Sequence, residues 1–270
     1  MTERVLVTGG ASGLGKAIVE SYAERKAKIA ILDVNEADGK QLLDELKSRG
    51  IEAMFFKVDV RNESVFKIIA ENIQEQWGGL DVLINNAGVG GTVGSIDEVS
   101  AEDWQWVMDI NLQGVVNGCR VFTPMLRQSK GAIVNVASAA GLMNAPLMSS
   151  YNVSKAAVIS LSETLRIELA HAGIQVHVLC PSFFSTNLTQ SMKSHVEGMH
   201  ERVNKIMERS GISAEQVVEA MHDALMKNRF MVITHASERK FWRIKRFMPN
   251  LFRKLMIKQT QKLFGKKARS

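Results

Sequence analysis

The chain has 270 residues, of which 46% are apolar and 23% charged, enough apolar material for one large α/β domain or two small ones. The net charge of +6 is uneven: residues 235–270 hold twelve Lys or Arg against the single acid Glu238, so this tail carries +11 and residues 1–234 carry −5. Two isolated cysteines, Cys119 and Cys180, exclude a disulfide scaffold and a metal cluster and point to a reducing, cytoplasmic setting. No signal segment precedes the first strand, and no apolar run approaches the ~18 residues of a spanning helix.

Strand and helix signals alternate along the chain. Val5-Leu6-Val7 reads as a buried strand, followed by the turn Thr8-Gly9-Gly10-Ala11-Ser12-Gly13-Leu14-Gly15 and a helix through Ala23. Glycines there allow a tight turn and close approach of a phosphate, which the helix start would hold through free N–H groups. Lys28 to Leu32 is a second strand ending at Asp33, and Glu36 to Arg49 a helix with Gly50 as its cap. Ala53 to Val58 is a third strand ending in Asp59-Val60, and Ser64 to Trp77 a helix closed by Gly78-Gly79. Leu80 to Ile84 is a fourth, ending in Asn85-Asn86-Ala87-Gly88. A long helix spans Ala101 to Arg127, a fifth strand Ala132 to Val136, and a helix Ser150 to Ala170. Ile174 to Leu179 is the sixth strand, stopped by Pro181; a helix from Ala214 to Met226 and a last strand from Phe230 to Ile233 complete the body.

Strands that are apolar throughout, alternating with helices, predict a doubly wound, Rossmann-type, mostly parallel sheet of about seven strands with helices on both faces. Ligands of such sheets bind at the carboxyl ends of the strands. The unusual polar groups all fall at such ends: the glycine-rich turn, Asp33, Asp59, Asn86 and Ser138. Asp33, 18 residues beyond Gly15, is placed to accept hydrogen bonds from both hydroxyls of an adenosine ribose, and its charge repels a 2′-phosphate, favouring NAD over NADP. Taken alone, it could also be a strand-end acid or a cap for the following helix. Asp59 suits the adenine amino group or is a turn residue.

Tyr151 and Lys155 stand at i and i+4, on one face of a helix. A phenol ionises near ~10, and a neighbouring cation favours its phenolate, so the pair can act as a general acid/base. Ser138 ends a strand at the same sheet edge, where its hydroxyl can hold a substrate oxygen.

Taken together, Thr8-Gly9 with Gly13-Leu14-Gly15, Asp59-Val60, Asn85-Asn86-Ala87-Gly88, Asn111, Ser138 and Tyr151 with Lys155 resemble the short-chain dehydrogenase/reductase family over residues 4–234. The resemblance implies hydride transfer between a nicotinamide and an alcohol or carbonyl carbon. Tyr151 would exchange the proton, Ser138 orient the substrate oxygen, and Lys155 hold the nicotinamide ribose and lower the Tyr151 pKa. Asn111 would support a water-linked proton path to Lys155. Gly9, Ser12, Gly13, Leu14, Gly15, Asp33, Asp59, Val60, Asn86, Tyr151, Lys155 and Thr186 would bind the dinucleotide. Where the family reads Pro-Gly after the sixth strand, this chain has Pro181-Ser182 followed by Phe183-Phe184. The resemblance also implies a homodimer or homotetramer.

Phe183, Phe184, Leu188, Met192, Met199, Ile206 and Met207 suggest an apolar secondary alcohol or ketone as substrate. In the tail, Phe241, Ile244, Met248, Leu251 and Leu255 recur at 3-4-3-4 spacing among Lys and Arg, with Pro249 splitting two short helices. Such a segment suits an anionic membrane surface, or packs on the body or on a second subunit. An acidic body argues against nucleic acid. The alternatives to an NAD enzyme are an NADP-linked carbonyl reductase and a non-catalytic nucleotide-binding protein docking on membranes.

Overall fold

The computed structural model describes residues 2–182, 191–194, 198, 201, 205 and 211–264. Seven strands form one parallel sheet: β1 (Arg4–Thr8), β2 (Lys28–Asp33), β3 (Ala53–Lys57), β4 (Val82–Asn85), β6 (Ala132–Val136), β7 (Gln175–Cys180) and β9 (Met231–Ile233). Their spatial order is β3-β2-β1-β4-β6-β7-β9. From β1 the chain runs outward to β3, then returns to lay β4 on the other side, with Val5 opposite both Ile29 and Val82. The crevice beyond the carboxyl ends of β1 and β4 is therefore the topological switch point.

Alternation along each strand splits the core in two. Leu6, Leu83 and Ile133 face a layer with Phe66, Phe122 and Val158, from the helices α3 (Glu63–Trp77), α5 (Gly114–Ser129) and α7 (Ser149–Glu168). Val5, Val7 and Ile84 face Ile18, Leu42 and Val217, from α1 (Gly13–Glu24), α2 (Glu36–Ser48) and α8 (Ala214–Met226). Burial on both faces is why the strands carry no polar alternation.

Local chemistry sets the helix ends. Asn35 accepts from the Asp38 amide to cap α2, and Ser213 forms a reciprocal capping box with Gln216 on α8. Gly78, at φ 71°, closes α3 in the left-handed conformation.

The helix expected from Ala101 to Arg127 is divided. α4 (Ala101–Met108) and α5 flank a π-helical turn, Asp109–Gln113. Short β5 (Thr92–Val93) pairs in parallel with β8 (Lys193–Ser194), bringing the segment after β7 back over the carboxyl edge.

The basic tail forms α9 (Ala236–Phe247) and α10 (Pro249–Phe264), separated at Met248. α9 packs against α6 (Ala139–Met143). Lys245 Nζ donates to the Leu142 carbonyl at 2.5 Å, Arg239 to the Ile233 carbonyl at 2.7 Å, and Ser182 to Glu238 at 2.9 Å. The residues at 3-4-3-4 spacing do not turn inward together. Trp242 packs on the core and Phe252 is buried, whereas Phe241, Met248, Leu251 and Leu255 are each about half exposed. Met248 has φ −133° and ψ 61°, outside the helical region. The angular phase is thus reset between the two helices, and a spacing counted across the break marks no common face. Among the described residues, no helix is long and apolar enough to cross a membrane.

Candidate active site

A cleft of about 670 Å³ opens at the switch point, within the range of small-molecule and cofactor sites. Its floor is the turn after β1. Gly9 has φ 62°, and its amide donates to the Leu32 carbonyl at 2.7 Å. A Cβ on Gly15 would lie 1.8 Å from the Gly9 carbonyl oxygen, so backbone rests on backbone there. Gly15 is a packing glycine beneath the cleft, whereas Gly9, Ser12, Gly13 and Leu14 line it. Ser12 makes no side-chain cap on α1. The first-turn N–H groups of α1, with the positive end of the helix dipole, are thus left for an anion such as a pyrophosphate.

Asn86 holds this turn in place. Its Nδ2 donates to the Thr8 and Gly9 carbonyls, each at 3.0 Å, while Thr8 Oγ1 accepts from the Asn86 and Ala87 amides. The Asn86 amide therefore acts on the cleft through the loop it fastens.

At one end of the cleft the Asp33 carboxylate is oriented by the Ala11 amide (2.9 Å) and the Asn35 amide (3.0 Å). Asp38 also borders this end, its carboxylate accepting from Asn35 Nδ2 at 2.6 Å. Asp59 and Val60 line the adjoining wall, and the Arg61 guanidinium chelates both Asp59 oxygens. That cation holds the Asp59 carboxyl below its ordinary range.

At the other end, α7 carries Tyr151 and Lys155 one turn apart, both buried. Ser138 is the N-cap of α6, its Oγ accepting from the Ala140 amide at 3.1 Å. Burial raises the Tyr151 phenol above its ordinary pKa, and a hydrogen bond from Ser138 pulls it partly back. The Lys155 ammonium donates to the Val136 carbonyl at 3.0 Å and stands 5.9 Å from the Tyr151 ring centre. Burial pushes its pKa down to about 8. Burial thus outweighs the hydrogen bond that lowers the Tyr151 pKa. The Lys155 amine is aimed at a backbone carbonyl.

Asn111 sits on the inner side of the π turn, fully buried behind the cleft wall. Its Oδ1 accepts from the Val89 amide at 2.8 Å, and its Nδ2 donates to the Val89 carbonyl and to Ser154 Oγ. A Cβ on Gly88 would lie 3.1 Å from Asn111 Oδ1 and 3.3 Å from Lys155 Nζ. Glycine at this position lets both polar atoms flank one point.

The structure thus brings Ser138, Tyr151 and Lys155 together at one end of a cleft with Asp33 at the other. Asn111 stands behind Lys155. Thr186 lies outside the described residues, as do Phe183, Phe184, Leu188, Met199, Ile206 and Met207; Met192 is described and buried. Sequence reasoning missed Asp38, Arg61, Trp106 and Ile110 in the cleft wall. Arg61 carried a usable signal, two residues beyond the strand-end acid Asp59. The others read as ordinary helix positions.

The donor set fits a dinucleotide: an uncapped helix start, an oriented acid at one end and a Tyr–Lys–Ser group across the same cleft. Known proteins agree. The profile of the short chain dehydrogenase family matches residues 3–197. A CLA biosynthesis dehydrogenase/reductase from Lactiplantibacillus plantarum is 31% identical, covering 86% of this chain and 87% of that protein. A 3beta-hydroxysteroid dehydrogenase from Mediterraneibacter gnavus is 34% identical, covering 72% and 70%. A crystal structure of a short chain dehydrogenase/reductase from Burkholderia phymatum in complex with NAD superposes with a TM-score of 0.86 at 31% identity, covering 93% of this chain and 95% of that one.

Proposed function

The chain belongs to the short-chain dehydrogenase family, and we propose that it is an NAD-dependent oxidoreductase acting on an apolar secondary alcohol or ketone. One observation carries this reading: Ser138, Tyr151 and Lys155 converge at one end of a cleft whose other end presents Asp33. The dinucleotide, when bound, supplies the hydride acceptor or donor. Residues 1–234 form the part that binds it and does the chemistry.

Within that part, the amides of Ser12, Gly13 and Leu14 hold the pyrophosphate, with Gly9 and Gly15 giving the turn its shape. Asp33 accepts from the adenosine ribose. Asp38 adds a second negative charge nearby, so a 2′-phosphate meets two carboxylates. Asp59 and Val60 face the adenine, Asn86 steadies the loop, and Thr186 serves the nicotinamide carboxamide. In the oxidising direction, the Ser138 hydroxyl holds the substrate oxygen while the Tyr151 phenolate takes its proton; the reverse reaction returns it. Lys155 binds the nicotinamide ribose and, with Asn111, passes the proton outward. The Ser138 hydrogen bond favours the Tyr151 phenolate, and a bound oxidised nicotinamide would add its positive charge to that effect.

Support for NAD also comes from the Burkholderia phymatum structure, which holds it, and support for an apolar substrate from the hydroxysteroid dehydrogenase relative. Assembly as a homodimer or homotetramer rests on the family. The free, buried thiols of Cys119 and Cys180 suit a reducing, cytoplasmic compartment. The same reading puts residues 235–270 in peripheral contact with a membrane.

A panel of sterols, retinoids, long-chain alcohols and small ketones, followed by NADH fluorescence, tests the proposal. One or more apolar members are expected to turn over with NAD, and Tyr151→Phe is expected to bind NADH yet lose turnover by several orders of magnitude. Unchanged turnover in that variant, or a wild-type preference for NADP, would refute the assignment.

A further inference from the structure

We propose that the helix pair α9–α10 is a docking surface for an anionic lipid bilayer; this deepens the membrane contact proposed above and rests on it. Eight cations lie on residues 236–258, and two of them are engaged inward: Lys245 on the Leu142 carbonyl and Arg239 on the Ile233 carbonyl. The remaining six, Lys240, Arg243, Arg246, Arg253, Lys254 and Lys258, form no ion pair with a carboxylate among the described residues. The only acid of the tail, Glu238, is occupied by Ser182 and Ser237.

Large apolar side chains stand exposed among these cations. Phe247 is 77% exposed and Ile257 58%, with Phe241, Met248, Leu251 and Leu255 close to half. Phe247 shares a groove of about 420 Å³ with Lys240, Arg243, Ile244 and Met248 on one side of α9. On α10, Leu251 and Leu255 lie one turn apart, with Lys254 and Lys258 beside them and Phe252 buried behind. Water solvates such cations well, but it gives exposed phenylalanine and isoleucine no favourable partner. A bilayer interface serves both groups, since apolar side chains enter the acyl boundary while the cations meet anionic headgroups. A nucleic acid would leave the apolar set uncovered.

Charge separation within the molecule sets the orientation. The tail carries +11 and the body −5, so an anionic surface attracts one and repels the other. α9 is also joined to the cleft. Glu238 grips Ser182, which lines the substrate end, and Lys245 grips α6, which Ser138 caps. Docking through these helices therefore holds the substrate end of the cleft near the bilayer, where an apolar alcohol or ketone is concentrated.

The test is co-sedimentation of the full-length, NADH-loaded protein with vesicles of phosphatidylcholine alone or mixed with phosphatidylglycerol, at low and high salt. The proposal expects binding to the mixed vesicles that high salt weakens. The triple variant R243Q/R253Q/K254Q is expected to lose roughly a hundredfold in affinity, at about fivefold per cation. F247S/I257S is expected to weaken binding without losing NADH fluorescence. Solution mass, read by light scattering, should be the same for all three proteins. Equal binding to neutral vesicles would keep the membrane contact and overturn its anionic basis. No binding to either vesicle would overturn both. A fall in solution mass in F247S/I257S would show that the face seats a second copy, and tighter binding to a DNA duplex than to vesicles would assign it to nucleic acid.

Discussion

Replacing Lys155 with methionine is expected to stabilise the protein at neutral pH while abolishing turnover. The side chain is buried, and burial lowers its pKa from 10.5 to about 8. At ~1.4 kcal/mol per pH unit, keeping the ammonium charged inside the fold costs roughly 3 kcal/mol at any pH below 8. Methionine keeps much of the aliphatic packing and carries no charge. It forfeits the 3.0 Å hydrogen bond to the Val136 carbonyl, a loss of about 1 kcal/mol. The net gain is about 2 kcal/mol, or roughly 4–8 °C in melting temperature. The sign with pH follows from proton counting. Between pH 8 and 10.5 the unfolded chain holds the Lys155 proton and the folded protein releases it, so wild-type stability rises with pH in that window. Calorimetry without dinucleotide, at pH 7 and again near pH 10, should show the advantage of K155M shrinking as pH rises. A variant that melts below wild type at pH 7, or an advantage constant with pH, would refute the reasoning. Either result would mean that the folded protein compensates the buried charge.

Ser138→Ala should remove the donor that favours the Tyr151 phenolate. A hydrogen bond to a charged group contributes ~1.5–3 kcal/mol, so kcat/KM for oxidation at neutral pH should fall roughly tenfold to a hundredfold, with the acid limb of the pH profile moving to higher pH. An unmoved limb would assign Ser138 to substrate binding alone. Gly15→Ala forces a Cβ to 1.8 Å from the Gly9 carbonyl and should cost about 2–4 kcal/mol in denaturant unfolding, from overpacking and the weakened Asn86 hydrogen bond. Unchanged stability would show that the turn can shift freely. Asp33→Ala should weaken NAD roughly tenfold to a hundredfold and narrow the gap to NADP, measured by fluorescence titration. Equal losses for both dinucleotides would show that the carboxylate only orders the loop.

The alternation of apolar strands with amphipathic helices was legible because each element obeys a local period and the inner strands of the sheet are buried on both faces. The cleft residues were legible for a related reason: a doubly wound sheet places strand-end polar groups at one edge, so Asp33, Asp59 and Ser138 could be read from where each strand stops. Tyr151 and Lys155 followed from helical spacing.

Tertiary contacts decided the rest. No local pattern marks Asn111, because the π turn that carries it interrupts an otherwise continuous helix at Asp109. Asn86 lines the cleft, and its amide is also committed to the Thr8 and Gly9 carbonyls, which only the pairing of β1 with β4 brings within reach. Gly15 and Gly88 owe their place to atoms distant in sequence, the Gly9 carbonyl and the Asn111 and Lys155 polar ends. The pKa of Lys155 is set by burial, which no spacing reveals. The tail shows the same division. Its charge and its break near Pro249 could be read from the chain, but the buried face could not, because the break resets the helical phase and long-range packing then turns Trp242 and Phe252 inward. Sequence by itself determined which residues are able to do the chemistry, since residue type and local period set that. Which of them reach the cleft, and with what charge, was decided only by long-range packing and the desolvation it brings.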